Sequence, residues 1–110
     1  MLNETIKSIE NRVRGGKSIS EENRAGLLEL LETLREEVDD LSTTRAEHAE
    51  SITGFTDAST REALREEQDP KLLELSIEGL SSSVREIETS HPRLVASVNR
   101  ICTMLANLGI

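Results

Sequence analysis

Aromatic residues are almost missing from this chain: it has no tryptophan, no tyrosine and one phenylalanine, Phe55. A nucleic-acid surface built on base stacking is therefore excluded, because that surface needs aromatic rings. Only one cysteine is present, Cys102, so no disulfide can close within the chain. That fits a reducing compartment. Two prolines and six glycines leave long stretches without strong helix breakers. No apolar run of signal-peptide length opens the sequence, and none approaches the length that spans a bilayer. The expected location is the cytoplasm.

Positive charge is also scarce. The chain carries 13 basic and 21 acidic residues, a formal net charge of −8 over 110 residues. The acid is concentrated in the middle, where residues 29–91 hold 17 acidic and 6 basic side chains. The two flanks together hold 4 acidic and 7 basic side chains. A nucleic-acid backbone or an anionic membrane surface would be repelled by that middle. Neither is expected as a partner.

What the chain does have is aliphatic periodicity. Leu73, Ile77, Leu80, Val84, Ile87, His91, Leu94, Val98, Ile101, Leu105 and Leu108 alternate spacings of four and three. A repeat of 3.5 holds one seam of a helix against a partner helix. Leu27, Leu31, Leu34, Val38, Leu41, Arg45, His48, Ile52 and Phe55 form a second stripe with the same spacing. Leu2, Ile6, Ile9 and Val13 form a short third one. The expected class is all-α: an antiparallel, coiled-coil-like helical hairpin with a short N-terminal helix completing a three-helix base.

The boundaries follow from local chemistry. A first helix covers 1–14 and stops at Gly15-Gly16, where glycine readily turns left-handed. Ser18 and Ser20 offer N-cap oxygens, and Ser18-x-x-Glu21 has capping-box spacing. The second helix then spans 19–55. Ser42-Thr43-Thr44 weakens it, so it either ends near Leu41 or runs on to about Ile52. Gly54 and Thr56–Ser59 break it, and 56–70 form the connecting tip, with Ser59-x-x-Glu62 set to cap a short turn. Asp69-Pro70 opens the third helix, 71–108, with Pro70 suited to its first turn. Pro92 lies within it, yet the heptad phase crosses the proline unshifted, which predicts a kinked but continuous rod of about 50 Å at roughly 1.5 Å per residue.

The segment Glu88-Thr89-Ser90-His91-Pro92-Arg93-Leu94, together with the ending Leu105-Ala106-Asn107-Leu108-Gly109-Ile110, resembles the C-terminal part of a family of small bacterial proteins known only as a domain of unknown function. The resemblance covers residues 1–41 by pattern and 71–110 by motif, and 43–70 look like an insertion. It implies a compact α-helical protein of the bacterial cytoplasm and carries no activity.

Candidate chemistry is sparse. Glu88-x-x-His91 has the spacing of two metal ligands on one helix face, as in di-iron bundles. Only one copy is present, so a metal site there would need a symmetric dimer; packing beside the proline is the simpler account of His91. His48 falls on a seam position, where a partly exposed packing residue is expected, with a glutamate of the neighbouring helix as a candidate partner. Cys102 sits on the apolar side without a histidine at helical spacing, so a small core residue is favoured over a nucleophile. Ser76, Ser83, Ser90 and Ser97 recur every seven residues and suit close helix packing. No catalytic constellation and no cofactor site is expected.

The sequence therefore points to a non-enzymatic helical protein that self-associates, a dimer being favoured, with a role in protein–protein contact or scaffolding. Leu41, Val84, Ile87, Leu94, Val98, Ile101 and Leu105 are the expected seam. The alternatives are a metal-binding bundle using Glu88 and His91, and an acidic adaptor for a basic protein partner.

Overall fold

Several helix ends fall where side chains can take up the free backbone groups. The computed structural model describes residues 2–108. It contains α1 (Leu2–Gly15), α2 (Glu21–Ser42), α3 (Ala46–Ala63), α4 (Pro70–Ser83), a one-turn 3-10 helix (Arg85–Ile87) and α5 (Pro92–Leu108). No strand occurs among the described residues.

At the start of α2 the cap is Ser20, whose hydroxyl accepts from the Asn23 N–H at 3.1 Å. Asp69 caps α4 in the same way, accepting from the Lys71 and Leu72 N–H groups at 3.0 and 3.2 Å. Pro70 follows at the first helical position, where a missing N–H costs nothing. The end of α1 is solved differently from expectation. Neither Gly15 nor Gly16 turns left-handed. Instead the Arg24 guanidinium donates to the carbonyls of Val13, Arg14, Gly16 and Ile19. One side chain from α2 thus satisfies the open carbonyl end of α1 and places a cation at its negative pole.

Two expected rods are each folded in half. α2 stops at Ser42 because the hydroxyls of Ser42 and Thr43 donate back to the carbonyls of Asp39 and Asp40, at 2.7 and 2.8 Å. Those bonds compete with continuation of the helix. The chain re-enters a helix at Ala46, and Gly54 and Thr56–Ser59 lie inside it. The expected 56–70 tip is thus only the short connection after Ala63. Ser59 caps nothing; it is buried and donates to Phe55 O at 2.8 Å.

The second rod breaks as well. Pro92 is the first residue of α5 and not a kink within 71–108. A proline in mid-helix would collide with the carbonyl four residues back, and the residue before it avoids the α region. The turn at 88–91 removes both conflicts, while His91 O still accepts the first α5 bond from Val95 N at 3.1 Å. The heptad phase survives because phase fixes which side chains face inward and leaves the axis direction free. The principal extents are 38 × 24 × 22 Å, too short for a 50 Å arm. The radius of gyration, 12.8 Å, matches the roughly 13 Å of a globular chain this long.

α3 is the central element and packs on all four other α-helices. Its inner face is Ala49, Ile52, Thr53, Thr56, Ser59, Thr60 and Ala63, all buried. Small side chains let four neighbours approach. Their hydroxyls are satisfied locally, with Thr53 donating to Ala49 O at 2.8 Å and Thr56 to Ile52 O at 2.7 Å. Around α3 lie the aliphatic rows of α1 (Ile6, Ile9, Val13), α2 (Leu27 to Leu41) and α5 (Leu94 to Leu105). Glu10 of α1 is nearly buried, with its carboxylate 3.7 Å from Arg35 of α2. Gln68 donates to both Ala63 O (2.7 Å) and Leu108 O (3.2 Å), joining the ends of α3 and α5.

Thr60 is the exception on α3. It is fully buried and its hydroxyl has no hydrogen-bond partner among the described residues. A buried unpaired hydroxyl carries its desolvation cost without return. Thr60→Val keeps the shape and removes the hydroxyl, so it should stabilise the protein by about 1 kcal/mol and raise Tm by several degrees. Thermal unfolding followed by circular dichroism checks this; an unchanged or lower Tm would show that the hydroxyl is satisfied in solution.

Candidate interaction surface

The expected seam residues Leu41, Val84, Ile87, Leu94, Val98, Ile101 and Leu105 are all buried within one chain. Their contact partners are other helices of the same molecule. They are not available to a second copy in this fold, so any interface must use different surface.

Glu88 and His91 do not share a helix face. Glu88 is exposed in the turn after the 3-10 helix, and His91 precedes α5 with its Nδ1 3.0 Å from Ser90 Oγ. The helical geometry that a Glu-x-x-His ligand pair requires is therefore not present. Among the described residues no group of three or more His, Cys, Asp or Glu side chains is placed to hold a metal ion.

His48 Nε2 lies 3.0 Å from Glu86 Oε2, across from the start of α3 to the turn that follows α4. This contact shows that α3 and α4 run antiparallel. Of the heptad serines, Ser76 and Ser83 donate back to Leu73 O (2.9 Å) and Leu80 O (2.6 Å). Ser97 is buried and Ser90 is exposed. Cys102 is half-buried, with its sulfur 4.0 Å from Ile77 O. Burial pushes its thiol up to about 11, a shift only partly offset by a backbone hydrogen bond.

The outer surface of the α3–α4 pair differs from the rest. Among the described residues the exposed large hydrophobic side chains are Phe55, Leu72 and Leu75, at 40, 44 and 48% exposure. Leu72, Leu75 and Gly79 fall on one side of α4 by helical spacing. The Phe55 ring lies on Gly79; a Cβ there would come within 2.3 Å of a ring carbon. Gly79 thus provides the seat for the chain's single aromatic ring. Beside it on α3, Ser51, Gly54 and Ala58 are exposed and small. The result is a low, apolar strip crossing two helices. It leads into a shallow groove of about 470 Å³ bounded by His48, Ser51, Ser83 and Glu86.

The two helices that carry the strip are acidic: α3 and α4 hold Glu47, Glu50, Asp57, Glu62, Glu74 and Glu78 against Arg61 and Lys71. The heptad spacing does not reveal this surface: it places Phe55 on an inward seam, and Leu72 and Leu75 fall off the heptad positions of α4. The available signal was that α4 carries more leucine than one seam can bury.

Residues 27–110 match the family described as a domain of unknown function, DUF4404. The chain belongs to that family. The matched range begins inside α2, leaving α1 outside it, and it runs through 43–70, the stretch expected as an insertion. No curated protein and no solved structure matches the chain. No helix among the described residues is long and apolar enough to cross a membrane.

Two outcomes follow from the geometry. Gly79→Ala should displace the Phe55 ring into solvent, while the gain of about 1 kcal/mol in helix propensity offsets the lost contact. NMR should show the Phe55 ring signals moving toward free-peptide positions with Tm almost unchanged; an unmoved ring would contradict the seat. Cys102 should alkylate slowly at pH 8, where a thiol of pKa about 11 is about one-thousandth thiolate. The rate should keep rising as pH climbs toward 11, and a plateau near pH 9 would show an unshifted thiol.

Proposed function

We propose that the protein is a non-enzymatic interaction module whose working surface is the apolar strip on α3 and α4. The observation that carries this reading is the gathering of the large exposed hydrophobic side chains among the described residues, Phe55, Leu72 and Leu75, on one helix pair. Scattered single hydrophobes are ordinary on a surface, but a clustered set with a polar rim is typical of a binding face. The core needs no help from a partner, since the aliphatic rows close on each other within one chain.

The rim chooses the partner. An acidic border around an apolar strip suits an amphipathic helix with a short leucine stripe and basic flanks. Apolar contact supplies the affinity, and the opposed charge sets orientation and discourages acidic competitors. This makes the protein an acidic adaptor for a basic partner. Self-association concerns a different face, treated below.

Titration of isotope-labelled protein with a synthetic leucine–lysine amphipathic helix tests the reading. Amide shifts should cluster at Phe55, Leu72, Leu75 and Gly79 and weaken as salt rises. Leu75→Ser should reduce affinity about tenfold, in line with the roughly 1.5–3 kcal/mol of a buried leucine. A peptide of the same composition with its stripe scrambled should bind weakly and without a cluster. Shifts spread over the whole surface, or binding indifferent to Leu75→Ser, would overturn the proposal.

A further inference from the structure

A second face of the molecule carries opposite charges on its two walls. α2 and α5 enclose an open groove of about 750 Å³. Its floor includes Gly26 and Leu30 of α2 and Met104 of α5, and its rim includes Glu29, Arg93 and Arg100. Neither arginine forms an ion pair among the described residues. Arg93 also stands in the first turn of α5, where a cation meets the positive end of the helix dipole. Within one chain that position is unfavourable, and an acidic neighbour would offset it.

Acid stands on the opposite wall, at Glu29, without forming an ion pair with either arginine. Glu22, Glu29 and Glu36 recur every seven residues along α2, and all three are exposed. Arg93 and Arg100 have the same spacing on α5. A Cβ at Gly26 would lie 3.3 Å from Met104 Cε, so the beginning of α2 lies beside the end of α5 and the helices are antiparallel. Counting inward from that contact, Glu29 is level with Arg100, whereas Glu36, level with Arg93, turns toward α1 beside Asn3 and Lys7.

We propose that this groove is the contact surface for a second copy of the chain. A two-fold axis running along the helices sets α5 of one protomer against α2 of its partner and keeps these levels. Arg100 of each protomer then faces Glu29 of the other. The apolar floors, with Leu30 and Met104, close over one another. The arrangement is self-complementary, as a two-fold contact requires. It leaves the α3–α4 strip uncovered on each protomer, so the dimer presents two copies of it.

Charge reversal on the full-length chain tests the dimer. Sedimentation at tens of micromolar should give twice the 12.2 kDa chain mass. Glu29→Arg and Arg100→Glu each place like charges at both contacts, so each variant alone should dissociate at least about tenfold more readily. Mixed together, the two variants should form a heterodimer, since every contact again pairs acid with base. Circular dichroism confirms that both variants keep their helices, and the rescue by mixing excludes misfolding as the cause. A monomeric wild type, a dimer that survives both reversals, or a mixture that stays monomeric would overturn the proposal. Dissociation by Leu75→Ser with both reversals silent would also overturn it and move self-association to the α3–α4 strip. The peptide titration is read out on that strip alone, so the two proposals fail independently.

Discussion

Water leaves the aliphatic rows of this protein only because the chain turns back on itself at 43–45 and again at 84–91. Heptad-spaced Leu, Ile and Val side chains on a rod need a second surface, and a straight hairpin would cover only one side of each. Folding each rod in half brings Leu27–Leu41, Leu94–Leu105 and the α1 row around α3. With one phenylalanine and no larger ring, no single side chain can fill a gap. Closure therefore depends on many small aliphatic contacts and on a central helix slim enough to be surrounded.

That central helix explains several otherwise odd choices. Threonine and serine are weak helix formers with hydroxyls to satisfy, yet they line the inner face of α3. Thr53 and Thr56 donate to their own helix's carbonyls, so burial leaves them paired, while their size keeps neighbouring backbones close. The ends of the elements are tied across the fold in the same economical way. Arg24 holds four carbonyls around the end of α1, and Gln68 bridges the ends of α3 and α5. α1 lies outside the matched family range but is fixed to the family's part by Arg24, by Glu10–Arg35 and by the buried Ile6, Ile9 and Val13.

A closed core hands recognition to the outside. The residues that looked most like an interface, the heptad seam, are consumed by folding. What remains is an apolar strip with an acidic rim on α3–α4 and a groove with opposed charges on α2–α5. The first suits a basic helix, and the second suits another copy of the chain. Both readings rest on side chains that folding left without an internal partner.

Much of the fold was legible in the sequence. Helical class, the inward rows of α1, α2, α4 and α5, the Asp69-Pro70 start and the weak point at Ser42–Thr44 all follow from interactions within a few residues, which spacing and cap chemistry capture. The turn at His91-Pro92 was legible only in part, because an unbroken heptad phase says nothing about axis direction. The helix through Gly54 and Thr56–Ser59 was not legible: local propensity is weak there, and burial against four neighbours decides it. The candidate surfaces were hidden for the same reason. Spacing alone determined which side chains of α1, α2, α4 and α5 avoid water. Only the packing of α3 at the centre decided which rows met inside one chain, and so which of Phe55, Leu72, Leu75, Arg93 and Arg100 were left facing out.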